Sequence, residues 1–261
     1  MLSNLDRILH AADKDIGDSK VNVSAAALRK SATAEGFTAD PCEFSVCEED
    51  GFRTALNCDL LFSCVDRPWS RHVVNFIAYG HLIPVIDGGV YAEPNCKFTN
   101  LHRADVRAHV VTPTRTCMSC LGQYNLGDVQ MDREGLLDDS TYINELPFDS
   151  PLRHNENVFA FNLMAASLEL SQMIAYIFSP IGISDLGSQI YHFVGGKLYA
   201  DFQQCIDNCY FTSIVGMGDH CPEVFIDTHP VAEAQRLSRQ EVTTTPLWSR
   251  IWSRLRTIFD H

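Results

Sequence analysis

The chain is organised around an apolar segment that ends in an aspartate and precedes a helical segment and a second apolar segment. The first segment runs from Leu60 to Val65, and Asp66 follows it directly. A short, mostly apolar run is typical of a strand buried on both faces of a parallel sheet. The Asp66 carboxylate is then expected at the carboxyl end of that strand, where open α/β sheets bind their ligands.

A helix and a second strand are predicted after Asp66. Pro68 suits the first turn of a helix, and residues from Val73 to His81 recur at helical spacing. The apolar residues 82–86 predict the returning strand, which completes a βαβ unit. An alternative role for Asp66 is that of a simple helix N-cap, which needs no substrate.

Composition narrows the class of protein. The 261 residues are 46% hydrophobic, which is enough to bury a sizeable core in one globular domain. A net charge of −13 disfavours nucleic acid as a partner, because a basic surface is needed to neutralise phosphates. No signal sequence and no stretch of ~20 apolar residues is evident, so we expect a cytoplasmic protein. In that compartment paired cysteines indicate metal binding or catalysis rather than disulfides.

The N-terminal segment places Asn4, Arg7 and Lys20 ahead of an amphipathic helix predicted over residues 21–34, with Ser19 among its candidate caps. A lysine in the first turn of a helix is slightly unfavourable, because the helix dipole is positive there. It becomes favourable if a polyphosphate lies beside it. Arginine offers planar donors for phosphate oxygens, and lysine offers a compact charge. Taken alone, the two cations would be solvated surface charges.

These two segments resemble the ThiF/MoeB/HesA family, the ubiquitin-activating-enzyme-like adenylyltransferases. The family has an Asn, an Arg three positions later and a Lys thirteen positions after that Arg, and this chain repeats the spacing. It also has Asp, Arg and Asn after the strand of the βαβ unit. The resemblance implies ATP and Mg²⁺ as cofactors. It implies catalytic roles for Arg7, Lys20 and Asp66, and cofactor binding by Asn4, Arg71 and Asn75.

The resemblance also implies an α/β fold with a Rossmann-like, mostly parallel sheet. The family begins with a strand and a glycine-rich turn that this sequence lacks, and Gly88-Gly89, read as a turn or a close backbone approach, is not placed to replace it. We therefore expect a ThiF-like domain over residues 1–228 without its first strand-turn-helix, a linker over 229–245 and an amphipathic helix over 246–261. A late start codon, a second polypeptide that completes the domain, or a degenerate relative would each explain this.

Two cysteine pairs predict a structural zinc site. Cys117 and Cys120 are separated by two residues, and Cys205 and Cys209 by three. Four thiolates from two distant segments can close a tetrahedral zinc site and leave no position for a substrate. The alternative is a set of buried thiols that act as small apolar groups. The ThiF/MoeB branch resembles this arrangement, with zinc joining one cysteine pair after the sheet to another near the end of the domain.

Three further elements are predicted. Residues 42–47 alternate like an edge strand, and residues 158–178 have the helical period of a large core helix. Two short strands flank Gly195-Gly196 and predict a hairpin, in which His192 is interpreted as a packed strand residue.

The function that the resemblance implies is ATP-dependent adenylation of the C-terminal carboxylate of a ubiquitin-like or sulfur-carrier protein. In the thioester-forming relatives a nucleophilic cysteine lies in the crossover region. The corresponding polar segment 123–153 of this chain has no cysteine, so the resemblance implies a reaction that stops at the acyl-adenylate. The alternative is a non-catalytic interaction module that binds such a protein or a complete homologue. A homodimer is also implied. The apolar stripe from Leu247 to Phe259 favours docking on this domain or on a partner over a membrane surface.

Overall fold

The computed structural model describes residues 10–12, 15–94, 101–138, 159–179 and 185–244, and every structural statement below concerns these residues. Two compact units are present, one formed by Met1–Gly51 with Ile226–His261 and the other by Phe52–Phe225. The helices are α1 (Lys20–Ser31), α2 (Glu49–Leu56), α3 (Pro68–Gly80), α4 (Leu126–Arg133), α5 (Phe159–Phe178), α6 (Tyr210–Ser213) and α7 (Pro230–Thr244). The strands are β1 (Leu61–Ser63), β2 (Val85–Pro94), β3 (Leu101–Val111), β4 (Ser188–His192) and β5 (Lys197–Asp201).

The larger unit is built on one five-stranded sheet in the order β1-β2-β3-β4-β5. The first pair is parallel and is joined by α3, which confirms the α/β class and the predicted βαβ unit. The other three pairs are antiparallel, so within the described residues the mostly parallel sheet expected from the sequence is found only at β1–β2. Short connections account for two of these pairs, β2–β3 and β4–β5, because a parallel pair needs a long crossover. The β3–β4 pair is antiparallel although α4 and α5 lie between its strands in the chain.

β1 differs from the expected strand in one respect. It has three residues and lies at one edge of the described sheet, and Phe62 is 45% exposed. The prediction of a strand buried on both faces was therefore wrong at Phe62, while Ser63 is buried. Apolar composition alone does not distinguish a central strand from a short edge strand, because both carry the same residue types.

Helix α5 covers one face of the sheet, as a core helix should. Phe161 and Ala165 pack against Ala92, Ala104 and Val106 of β2 and β3. By length and composition alone this helix could also cross a membrane. One face of the helix packs on the sheet and buries Glu169 and Gln172, as in a core helix. Its other face exposes five large apolar side chains, those of Leu163, Leu170, Ile174, Ile177 and Phe178.

The doublet Gly88-Gly89 marks two close approaches, not a turn. Both glycines lie inside β2. A Cβ at Gly88 would collide with the side chain of Glu169 from α5, and a Cβ at Gly89 would collide with the guanidinium of Arg107 on the opposite face. The two missing side chains therefore make room for one carboxyl group and one guanidinium, which confirms the interpretation of the doublet as a close backbone approach.

A buried carboxylate joins four elements of the larger unit. Asp87 on β2 is fully buried and accepts a hydrogen bond from Ser63 Oγ at 2.8 Å. It also forms ion pairs with Arg71 Nη1 of α3 at 3.2 Å and with Arg107 Nη1 of β3 at 2.8 Å. Burial acts to raise the pKa of Asp87, but the guanidinium groups of Arg107 and Arg71 hold it below its ordinary value. Asp87 therefore remains ionised and ties β1, α3 and β3 to β2.

The smaller unit is organised by a second buried carboxylate. Glu48 accepts hydrogen bonds from the backbone N–H of Ser45 at 2.7 Å and of His229 at 3.0 Å. Arg236 of α7 approaches it with both terminal nitrogens, at 2.9 and 2.7 Å. Helix α7 thus occupies residues that the sequence led us to interpret as a linker.

Residues 42–47 do not form the predicted strand. They are irregular, and the adjacent Glu48 makes only an isolated bridge to Ile226. The backbone of Ser45 bonds instead to the Glu48 side chain, which turns the chain where a strand would continue. The predicted helix over 246–261 lies outside the described residues.

Replacing the buried carboxylate should destabilise the larger unit. Asp87→Asn leaves Arg71 and Arg107 without their counter-charge, and we expect the free energy of unfolding to fall by about 3 kcal/mol. Urea denaturation measures this. The matched control is Asp59→Asn, because Asp59 is exposed. Equal effects of the two substitutions would contradict the role given to Asp87.

A second prediction concerns Glu169 and pH. Burial raises the pKa of Glu169 to about 7, and Cys64 Sγ donates a hydrogen bond to it at 3.5 Å. A folded-state pKa above the unfolded value means that the stabilisation is complete below about pH 4 and is lost as pH rises through about 7. Glu169→Gln cannot ionise, so at pH 8 this variant should unfold with a free energy roughly 1–3 kcal/mol higher than the wild type. Near pH 4 the two should agree, and a difference that does not change with pH would contradict the prediction.

Candidate functional site

Asp66 lies at the junction between β1 and α3. Its side chain is exposed, and the N-cap of α3 is the next residue, Arg67, which makes no side-chain capping bond. Asp132 of α4 caps the N-terminus of α3 instead. Its Oδ2 accepts a hydrogen bond from the backbone N–H of Trp69 at 3.0 Å, and its Oδ1 forms an ion pair with Arg67 Nη1 at 3.2 Å. The N-cap residue of α3 is thus Arg67 and not Asp66. Its carboxylate follows β1 after two intervening residues, Cys64 and Val65, whereas the sequence predicts that Asp66 follows the strand directly.

Arg71 controls the backbone that carries Asp66. Its side chain is buried, and Nη2 donates to the carbonyl oxygen of Val65 at 2.6 Å while Nη1 pairs with Asp87. The chain from Asp87 through Arg71 to Val65 fixes the peptide that directly precedes Asp66. These contacts are internal, and direct cofactor binding by Arg71 stays a prediction.

Asn75 connects α3 to the first cysteine pair. It is fully buried, its Nδ2 donates to Tyr124 Oη at 3.0 Å, and its Oδ1 accepts from the backbone N–H of Met118 at 3.1 Å. Met118 lies between Cys117 and Cys120. Asn75 therefore holds the loop of this pair against α3, and its predicted contact with a cofactor stays a prediction.

The four predicted metal ligands converge in the larger unit. Cys117, Cys120, Cys205 and Cys209 are free thiols, and their sulfur atoms all lie within 4.8 Å of one another. Two of the separations are 3.7 Å, between Cys117 and Cys209, and 3.6 Å, between Cys120 and Cys209. Tetrahedral zinc with Zn–S bonds of about 2.3 Å requires sulfur atoms about 3.8 Å apart, so the cluster fits the ion.

Backbone N–H groups donate to two of the cluster's sulfur atoms, which favours the thiolate form of these cysteines. The N–H of Cys117 donates to Cys205 Sγ at 3.2 Å, and the N–H of Cys120 donates to Cys117 Sγ at 3.3 Å. Tyr79 of α3 lies 3.5 Å from Cys205 Sγ through its hydroxyl oxygen. Without a cation, burial raises the pKa of Cys117, because the charged thiolate is poorly solvated. A dication would compensate this cost, which supports the same assignment as the sulfur geometry.

Lys20 occupies the predicted place at the start of a helix. It is the first residue of α1 and is exposed, and Ser19 Oγ caps the helix by accepting from the N–H of Asn22 at 3.3 Å. Lys20 belongs to the smaller unit and Asp66 to the larger one. Asn4 and Arg7 lie outside the described residues, so the predicted N-terminal set stays a prediction.

Several residues of the site were not identified from the sequence. Asp87 could have been recognised from the sequence, because it follows the apolar residues Val85 and Ile86 just as Asp66 follows the apolar segment before it. Arg107 carried none, because its pairing with Asp87 depends on the register in which Gly89 lies opposite it. Asp132, which serves the N-terminus of α3, likewise becomes recognisable only when α4 packs beside that helix.

Comparison with known proteins gives the family. The ThiF family matches residues 1–183. Escherichia coli MccB with ATP aligns at 14% identity and a TM-score of 0.54, over 81% of this chain and 55% of that one. The MccB structure with AMPCPP and SeMet MccA aligns at 16% identity and a TM-score of 0.55, over the same shares.

The alignments with MccB show what the two proteins share. At such identities they show a shared fold, and the chain spans little more than half of MccB. Curated protein sequences gave no match. The match to the family extends over more than half of the chain and includes both α1 and the βαβ unit. The chain therefore belongs to the ThiF family.

Proposed function

We propose that the chain uses ATP to adenylate the C-terminal carboxylate of a ubiquitin-like or sulfur-carrier protein. The observation that carries the proposal is the exposed Asp66 carboxylate between β1 and α3. Membership of the ThiF family supports it, and so does the fold shared with MccB, which has been determined with ATP and with AMPCPP and MccA.

The proposed reaction needs charge neutralisation rather than acid–base catalysis. The carboxylate of the acceptor attacks the α-phosphorus of ATP, a P–O bond forms, and the bond to the leaving pyrophosphate breaks. Asp66 would hold Mg²⁺, which when bound neutralises phosphate charge. Arg7 and Lys20 would stabilise the negative charge that develops on the pyrophosphate, because preorganised cations act most strongly on charge formed in the transition state. A carboxylate is already a nucleophile, so no general base is required.

The internal contacts of α3 would keep the metal-binding carboxylate in place. Asp87 orients Arg71, and Arg71 holds the Val65 carbonyl next to Asp66. A ligand carboxylate on a fixed backbone loses less conformational entropy when a metal–nucleotide complex binds, which is the advantage of preorganisation.

We also propose that the cysteine cluster binds Zn²⁺ and that the ion is structural. Four thiolates fill a tetrahedral shell, so no position remains for a substrate. The ion would join the segment of Cys117 and Cys120 to that of Cys205 and Cys209, about ninety residues later. Free thiols at this spacing suit a reducing compartment, which supports a cytoplasmic location.

Metal analysis tests the zinc proposal. Purified wild-type protein should contain one zinc ion per chain, and Cys117→Ser should lose it, because three thiolates and a hydroxyl bind zinc more weakly. The control is Cys58→Ser, which changes an exposed thiol outside the cluster. The proposal is wrong if the wild type carries no zinc or if both variants retain it equally.

Exchange of labelled pyrophosphate into ATP tests the adenylation proposal. The assay uses a panel of ubiquitin-like and sulfur-carrier proteins as acceptors. Asp66→Asn and Lys20→Ala should each reduce the exchange by about 100-fold or more, because the first weakens the binding of Mg²⁺ and the second removes a positive charge that acts on the transition state. Asp59→Asn and Lys30→Ala are the matched controls, since both residues are exposed and neither is a proposed catalytic or cofactor-binding residue.

The possible results separate the two candidate functions. Exchange that depends on Asp66 and Lys20 but not on the controls supports the adenylating enzyme. Exchange that survives both site substitutions removes the residue assignment. If no acceptor supports exchange but one still binds the chain, measured by isothermal titration calorimetry, the interaction module replaces the enzyme.

A further inference from the structure

Strand β5 presents an open edge. It is the last strand of the described sheet and pairs only with β4 there. All five of its residues are exposed, and Leu198 and Tyr199 are each 52% exposed. An exposed edge that carries large apolar side chains offers its unpaired backbone groups to another strand.

The residues of β5 divide between two faces of the sheet. Tyr199 lies opposite Ile190, whose neighbour on β3 is Arg107, so Lys197, Tyr199 and Asp201 point away from α5. Leu198 lies opposite Tyr191, which packs on the α5 core, so Leu198 and Ala200 share the α5 face. The face away from α5 therefore carries a cation at one end of the strand, a tyrosine in the middle and an anion at the other end.

This order of charges is complementary to itself. When two copies of an antiparallel strand are related by a two-fold axis at Tyr199, Lys197 of each copy falls opposite Asp201 of the other. Tyr199 falls opposite Tyr199, and Leu198 falls opposite Ala200. Directly opposed residues of opposite charge stabilise an antiparallel pair, and a two-fold interface uses every contact twice. We propose that β5 pairs with β5 of a second copy of this chain and forms a continuous sheet across a dimer.

The surroundings of β5 agree with this register. Continuing it by one residue brings Phe202, which is 60% exposed, opposite Gly196 of the second copy, where no side chain fills the space. A lysine on an edge strand by itself discourages pairing with other strands. In a second β5 in this register, Asp201 lies opposite Lys197 and removes that penalty. The resemblance implies a dimer without saying which surface forms it, and the assignment to β5 does not depend on the adenylation reaction.

Sedimentation velocity on the full chain tests the proposal by exchange of charges. The wild type should be a dimer. Lys197→Asp places two aspartates opposite two aspartates, and Asp201→Lys places lysines opposite lysines, so each variant should dimerise at least about tenfold more weakly. The double variant K197D/D201K restores both opposite pairs in reversed order and should dimerise like the wild type.

Mixing the two single variants gives the sharpest readout. In the mixed dimer every aspartate of one chain faces a lysine of the other, so the two weakly associating proteins should form a heterodimer. Lys30→Asp, on α1, makes the same change of net charge as Lys197→Asp and should leave the dimer intact. Circular dichroism verifies that all variants are folded. A monomeric wild type, single variants that dimerise normally, or a mixture that does not associate would each overturn the proposal.

Discussion

The larger unit depends on the burial of one carboxylate among two guanidinium groups. An ionised side chain without access to water is costly unless it is paired, and Asp87 meets this requirement by drawing Arg71 and Arg107 towards it. Arg71 belongs to helix α3, and Arg107 belongs to β3, which runs antiparallel to β2. Ser63 connects β1 to the same carboxylate through its hydrogen bond. One electrostatic requirement therefore fixes how the parallel βαβ unit joins the antiparallel part of the sheet.

Helix α3 contacts both candidate sites. Near its first turn Arg71 holds the backbone before Asp66, and one turn later Asn75 holds the loop of the first cysteine pair. Tyr79, another turn along, approaches the second pair at Cys205. Three residues at helical spacing thus connect one helix both to the backbone next to the proposed metal–nucleotide ligand and to the proposed zinc cluster. Disturbance of the cluster should therefore also reach the β1–α3 junction.

The sequence predicted the features that depend on local chemistry. Pro68 and the helical period located α3, Ser19 was a candidate cap of α1, and the two cysteine spacings identified the cluster. It could not predict features that depend on distant contacts. The pairing of Arg107 with Asp87 requires the β2–β3 register, and helix α7 replaces a linker because Arg236 has a buried partner in Glu48. The strand predicted at residues 42–47 is not formed for the same reason, because the backbone N–H of Ser45 donates to the side chain of Glu48.

Asp66 is proposed to hold the metal of a metal–ATP complex, and paramagnetic relaxation measures this contact directly. With Mn²⁺ in place of Mg²⁺ and ATP present, the amide signals of Asp66 and Arg67 in the NMR spectrum should broaden strongly, because both amides would lie close to the ion. Asp66→Asn should abolish this broadening while Asp59→Asn leaves it unchanged. Broadening that is confined to other parts of the chain, or that persists in Asp66→Asn, would contradict the account.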